Sequence, residues 1–218
     1  MSYLISSLIS LMSEILIVLP TTLIALTVHE LAHGWVSSKL GDPTPKAQGR
    51  LTLNPLKHLD PLGTVLMLVT GFGWAKPVSV NPMYYKDRKK GMALVAAAGP
   101  LANLIMAAIA MLLGMLALKL SSTGGFNPTL ILTIVRIFVF RNLCFLVFNL
   151  IPIPPLDGAK VLGMFLPNRT YYTMLQYEQY AIFLIMILSL TGAFDRIIGA
   201  GVNAVWNVLQ NLAFSIVF

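Results

Sequence analysis

Apolar residues fill this chain in long blocks separated by short polar stretches. The first block runs from residue 3 to 40, with interspersed serines, Glu14 and Pro20. A single helix over it would measure about 57 Å, against a hydrocarbon core of roughly 30 Å. Its first turns are therefore expected at the interface, with the span starting near Leu11, a kink at Pro20 and an end at Gly41-Asp42-Pro43. Residues 42 to 58 are polar and basic, and Arg50-Leu51-Thr52-Leu53-Asn54 alternates like a short strand. The apolar stretch Thr64 to Thr70 is too short to span. Gly71-Phe72-Gly73-Trp74 breaks it, and Ala75 to Val80 reads as a second strand. Three further spans follow, Gly91 to Leu118, Pro128 to Ile151 and Tyr172 to Leu190, and then a last helix from Arg196 to Phe218.

The pattern predicts a membrane all-α fold: a polytopic bundle of about five to six helices with a membrane-dipping β-hairpin or re-entrant segment. One domain over 1–218 accommodates it, with spans at 11–40, 91–119, 128–151 and 172–191, a hairpin at 46–81 and a terminal helix at 196–218. Basic residues flank both sides of residues 59 to 75, so both flanks are expected in the cytoplasm and the piece between them to dip and return. Irregular backbone at membrane depth must be buried in protein or line water, which predicts a wet cavity open to the cytoplasm. A plain surface hairpin is the alternative. Ser121 to Asn127 is uncharged and fits an external loop.

Composition strengthens the membrane reading. Of 218 residues, 57% are hydrophobic and only 11% charged, with mean hydropathy +0.80, far from soluble averages. The formal charge of +7 is not a nucleic-acid signal, because nine of the fifteen Lys and Arg residues fall between Lys39 and Lys90, where cytoplasmic loops explain them. The cluster Lys86 to Lys90 reads as a solvated face beside anionic lipid. Cys144 is the only cysteine, which excludes an internal disulfide and a cysteine metal cluster. The first residues lack a basic n-region and a small-residue cleavage pattern, so no removable signal peptide is expected. Arg136 and Arg141 fall inside a span and need partners; Asp60 and Glu178 are the candidates, or outward snorkelling of Arg136. Asn203, Asn207, Gln210 and Asn211 form a polar stripe suited to packing or an interface rather than catalysis.

The chemistry concentrates in His29-Glu30-Leu31-Ala32-His33, inside an apolar run. Residues four apart share a helix face, so His29 and His33 can hold one zinc ion. Glu30 then sits beside the metal, where its carboxylate can take a proton from water. Burying two histidines and a glutamate without a task is costly. A catalytic zinc takes three protein ligands and keeps one position open. The candidates for the third are His58, Asp60, Asp157 and Glu178. Asp157 is preferred: it follows Pro152, Pro154 and Pro155, which cannot continue a helix, and precedes Gly158, which admits a close backbone. His58, in a basic loop, reads as a solvated or structural histidine.

His29-Glu30-Leu31-Ala32-His33, Gly99-Pro100-Leu101-Ala102-Asn103 and the run from Asn149 to Asp157-Gly158 together resemble the site-2 protease family of intramembrane zinc metalloproteases. Phe72-Gly73-Trp74-Ala75-Lys76-Pro77-Val78 resembles its short prokaryotic branch. The resemblance covers roughly residues 20 to 165, and no PDZ-like insertion or appended regulatory domain is found. It implies His29, His33 and Asp157 as ligands of one zinc ion, Glu30 as general base and Asn149 as a residue holding substrate or the developing oxyanion. It implies a helix-packing role for Asn103 and likens residues 46 to 81 to the family's membrane-dipping hairpin. It also implies peptide-bond hydrolysis in a single-pass membrane substrate, at a site opening to the cytoplasm of a prokaryotic cell membrane. An extended substrate could add to the strand-like pieces near Arg50 or Val78. The rival readings are a metal transporter using the same three residues, which lacks further ionisable groups along a path, and an inactive scaffold, against which the intact Glu30 speaks.

Overall fold

The computed structural model describes residues 14–63, 76–124 and 127–218. A π-helical turn, Glu14–Val18, leads into α1, Leu19–Lys39. Pro20 stands in the first turn of α1, where a missing N–H costs little, so the irregularity expected at this proline takes the form of a change of winding at the helix start. The expected start near Leu11 lies outside the described residues. A single-turn helix α2, Thr44–Ala47, follows. The long helices are α3, Arg88–Gly124, and α4, Thr129–Leu150. Beyond them come α5, Asp157–Gly163, α6, Asn168–Gln176, α7, Glu178–Leu190, and α8, Ala193–Val217.

Among the described residues, four helical stretches are long and apolar enough to cross a membrane: Leu16–Lys39, Arg88–Ser122, Thr129–Leu150 and Ala193–Val217. The chain is thus a membrane all-α helical bundle. Its core joins α3, α4 and α8 through Ala107, Ala110, Met111, Val139, Leu143, Leu146, Val202 and Ala213. The outer faces are apolar too. Leu94, Leu101, Ile105, Ile109 and Leu113 stand exposed along α3, a stripe that only lipid or another protein surface would cover at no cost.

Two expectations change. No strand forms among the described residues. Arg50–Asn54 bends instead, because Gly49 turns with φ +64° and Asn54 caps a 3-10 turn, Pro55–Lys57, by accepting from the Leu56 N–H at 3.1 Å. The extended residues 76–80 give their N–H groups elsewhere: Lys76 to the His58 carbonyl and Val78 to Glu30. The tip of the expected hairpin, residues 64–75, lies outside the described residues. The span expected over Tyr172 to Leu190 is divided at Tyr177 into α6 and α7, and the 13 residues of α7 give about 20 Å of helix, less than a hydrocarbon core.

Arg136 is exposed on α4, in keeping with outward snorkelling. Arg141 is half-buried, and its Nε has no hydrogen-bond partner among the described residues. The polar stripe of α8, Asn203, Asn207, Gln210 and Asn211, is exposed throughout, while the same helix buries Phe194, Val202 and Ala213.

Candidate metal centre

Alpha-helical spacing puts His29 and His33 on the buried side of α1, with 4% and 8% of their surfaces exposed. Their rings meet edge to face, and the two Nε2 atoms are 3.0 Å apart. The third group comes from α5. Pro152, Pro154 and Pro155 end α4 and turn the chain back over loop 151–156. Gly158 then presses on the end of α4 so closely that a Cβ there would strike the carbonyl oxygen of Leu150. That contact delivers Asp157 at the start of α5. Its Oδ2 lies 3.2 Å from His29 Nε2 and 3.1 Å from His33 Nε2, and Lys160 Nζ is 3.7 Å from Oδ1. His29, His33 and Asp157 are all buried and form, among the described residues, a cluster that could hold a metal ion.

Their other bonds fix how the three present themselves. His33 Nδ1 is 2.7 Å from the Val95 carbonyl oxygen, which can only accept, so Nδ1 donates. Val95 lies in α3 one residue before Ala96, whose carbonyl Pro100 leaves without its helical donor. His29 Nδ1 is 2.7 Å from Asn103 Oδ1. Asn103 spends both amide hydrogens elsewhere, on the Ala25 carbonyl at 3.1 Å and on Asn142 Oδ1 at 3.0 Å, so its oxygen accepts and His29 Nδ1 donates as well. With both Nδ1 atoms protonated, both Nε2 lone pairs converge with a carboxylate oxygen. Three acceptors meeting without a donor between them fit a cation, and two imidazoles with one carboxylate suit zinc. Space is kept by Gly99 of α3, where a Cβ would lie 2.5 Å from His33 Nε2 and 2.6 Å from His29 Cε1.

Glu30 lies half-buried beside this cluster. Its Oε2 accepts from the Val78 N–H at 3.0 Å, so the extended segment 76–80 lies against α1. A second tie holds that segment. Asp42, just past the end of α1 and 1% exposed, accepts through Oδ2 from Ser37 Oγ and the Asn81 N–H, both at 2.7 Å, and through Oδ1 from the Thr44 N–H at 2.9 Å. Burial pushes the Asp42 carboxyl up, and the bonds from Thr44, Asn81 and Ser37 outweigh it, so the group sits below the usual carboxylate range. An open pocket of about 490 Å³ is lined by Gln48, Arg50, Lys76, Pro77 and Ser79.

Of the other candidates, His58 is fully buried and bonds through Nε2 to the Thr52 carbonyl at 2.9 Å, a structural part of its loop rather than a solvated residue. Asp60 caps a turn by accepting from the Gly63 N–H, and Glu178 is exposed on α7. None of these three belongs to the cluster. Asn149 sits in the last turn of α4, with Nδ2 donating to the Phe145 carbonyl at 3.1 Å; that bond runs to its own helix, not to the cluster. Asn103, expected to pack helices, joins α3 to α1 and α4 through its amide hydrogens, and its oxygen also holds the His29 imidazole. Asn142 carries one signal in the sequence, an amide inside an apolar span.

The chain is 40% identical over 205 residues, 91% of its length and 90% of the relative's, to the protein named "Putative zinc metalloprotease YwhC" from Bacillus subtilis. Two proteins given the same description are also similar. Rip2 of Mycolicibacterium smegmatis is 29% identical over 83% of this chain and 69% of its own length. MJ0611 of Methanocaldococcus jannaschii is 34% identical over 62% of each. No family model matches the chain, and no solved structure matches it significantly.

Proposed function

The chain belongs to the zinc metalloprotease family that these relatives' names describe, and from that premise we propose that it is an intramembrane endopeptidase of the site-2 protease type. The observation that carries the reading is the meeting of His29, His33 and Asp157 beside Glu30, in a chain whose described residues include four helices apolar enough to cross a membrane. The substrate is a single-pass membrane protein, cut in or near its spanning helix. The protein resides in a prokaryotic cell membrane, and its site opens toward the cytoplasm, the side on which the basic loops are expected.

His29, His33 and Asp157 would hold the ion through Nε2, Nε2 and a carboxylate oxygen. Bound zinc supplies Lewis acidity toward the scissile carbonyl and the attacking water. Glu30 accepts the proton of that water and hands it to the leaving nitrogen as the C–N bond breaks. The Val78 N–H steadies one oxygen of Glu30 and leaves the other to take the proton. Asn149 is assigned to the substrate carbonyl, through the Nδ2 hydrogen that the Phe145 carbonyl does not take. A helical substrate hides its peptide groups in its own hydrogen bonds, so it must unwind before cleavage. Residues 76–80, already extended beside Glu30, are the natural track for the unwound chain.

The test is cleavage of a model single-span substrate by the purified chain in detergent or liposomes, with and without a zinc chelator. Zinc-dependent cleavage within the span is expected. Zinc-loaded, folded protein that cuts soluble peptides but no spanning substrate would overturn the intramembrane assignment.

A further inference from the structure

Asn142 is fully buried in the middle of α4, and neither the metal cluster nor the proposed proteolytic step uses it. Its amide is committed at both ends. Nδ2 donates to the Phe138 carbonyl at 2.9 Å, one turn back on its own helix, and Oδ1 accepts from Asn103 Nδ2 at 3.0 Å. The Phe138 carbonyl can only accept, so it sets the direction of a chain of bonds. Asn142 must turn its nitrogen toward Phe138 and its oxygen toward Asn103. Asn103 must then turn its oxygen toward His29, and His29 must carry its proton on Nδ1.

We infer that Asn142 is a positioning residue for the metal centre: through Asn103 it locks His29 in the tautomer whose Nε2 lone pair faces Asp157 and His33. The inference rests on the metal-site reading above and extends it to a helix that contributes no ligand. Without the acceptor on Asn142, one Asn103 hydrogen loses its partner inside the protein. Only the Ala25 carbonyl then holds the Asn103 amide against turning, and a turned amide presents its nitrogen to His29 Nδ1. His29 would answer by moving its proton to Nε2, where it blocks a ligand position. The Ala25 carbonyl, 3.1 Å from Asn103 Nδ2, opposes this turn, so the lock has two arms. Asn142 is the arm that reaches across to α4.

The experiment is zinc and cobalt binding by the purified full chain, read by chelator competition and by the visible spectrum of the cobalt form. Asn142→Leu keeps the volume and removes the acceptor. It should weaken both metals about tenfold, the lower end of what partners of metal-bound histidines contribute, and alter the cobalt spectrum. Asn142→Asp keeps an acceptor for Asn103 and, protonated, a donor for Phe138, so it should restore most of the affinity. Nitrogen-15 labelling of the histidines gives a second readout: the Nδ1-protonated signature of His29 should be present in wild type and lost in Asn142→Leu. If Asn142→Leu does not fold, Asn142→Ser, too short to reach Asn103, takes its place. Wild-type affinity and spectrum in the Leu or Ser variant would overturn the inference, as would equal losses in those variants and in Asn142→Asp. All these readouts concern metal and proton position, so they stand apart from whether the chain cleaves a spanning substrate.

Discussion

The carboxylate of Glu30 accepts a hydrogen bond from the backbone N–H of Val78 at 3.0 Å, which ties the residue beside the metal cluster to the extended segment 76–80. Glu30 is not one of the three clustered groups, so its removal should separate chemistry from metal binding. Glu30→Gln retains an oxygen for the Val78 N–H and loses the basic oxygen. We expect zinc stoichiometry as in wild type and turnover lower by at least about 10²-fold, the range for loss of a positioned general base. Metal analysis and a cleavage assay on one preparation check both halves.

The same contact yields a second prediction. Val78→Pro removes the only N–H this position can offer. Zinc content should stay normal, because no ligand is touched, while kcat falls on the order of tenfold as Glu30 loses its fixed orientation. Unchanged kcat would mean that the 76–80 segment plays no part in aiming the base.

Gly99 has little freedom to change. A Cβ there would press on His33 Nε2 and His29 Cε1, and neither ring can swing aside, since Val95 and Asn103 hold the two Nδ1 atoms. Gly99→Ala should therefore lose zinc affinity by about 10- to 100-fold, as expected when the supports of metal-bound histidines are disturbed, with helix content little changed by circular dichroism.

How much of this was legible beforehand depended on the kind of signal. The histidine pair was readable because four-residue spacing on a helix dictates a shared face. Asp157 was readable because a proline run must end a helix and a glycine must follow where backbones touch. Asn103 is legible as a helix-packing residue, but its bond to His29 is not, since a sequence does not say which neighbour an amide oxygen faces. Asn142 looked like any polar residue in a span, and Gly99 like any small residue in a helix; their meaning depends on what stands opposite. The Val78 N–H carries no side-chain signal at all. The alternation at Arg50–Asn54 suggested a strand, but a strand needs a partner, and residues 76–80 are already committed to His58 and Glu30. The break at Tyr177 had one readable cue, Glu178 in the first turn of the new helix, where acidic groups favour a helix start.

Asp157 is the one cluster member brought by a separate helix, so it governs whether the site closes. Asp157→Asn keeps the shape and removes the negative charge that the ion would meet. Purified Asp157→Asn should contain little or no zinc. Chelation of wild type should lower its thermal midpoint, because an ion bound by the folded state stabilises it by mass action, and added zinc should restore it. Asp157→Asn should show neither response in the same thermal scans.

Asp42 supports the site from outside the membrane span, and its contribution carries a pH signature. Its carboxylate takes bonds from Ser37, Thr44 and Asn81, and charge-assisted bonds of this kind contribute about 1.5–3 kcal/mol each when isolated. Because they share one carboxylate, we expect Asp42→Ala to cost about 2–4 kcal/mol in total at neutral pH. The folded-state carboxyl lies below its ordinary value. Its stabilisation is therefore present above the unfolded value near pH 4 and fades as pH falls through the lower folded one. Thermal unfolding of wild type and Asp42→Ala in detergent should show a clear gap at pH 7 that narrows below about pH 4. A gap that stayed constant into acid would assign the effect to packing of the loop rather than to the charged cap. Because Asp42 holds Asn81, three residues beyond Val78, the variant should also lower cleavage more than it lowers zinc content.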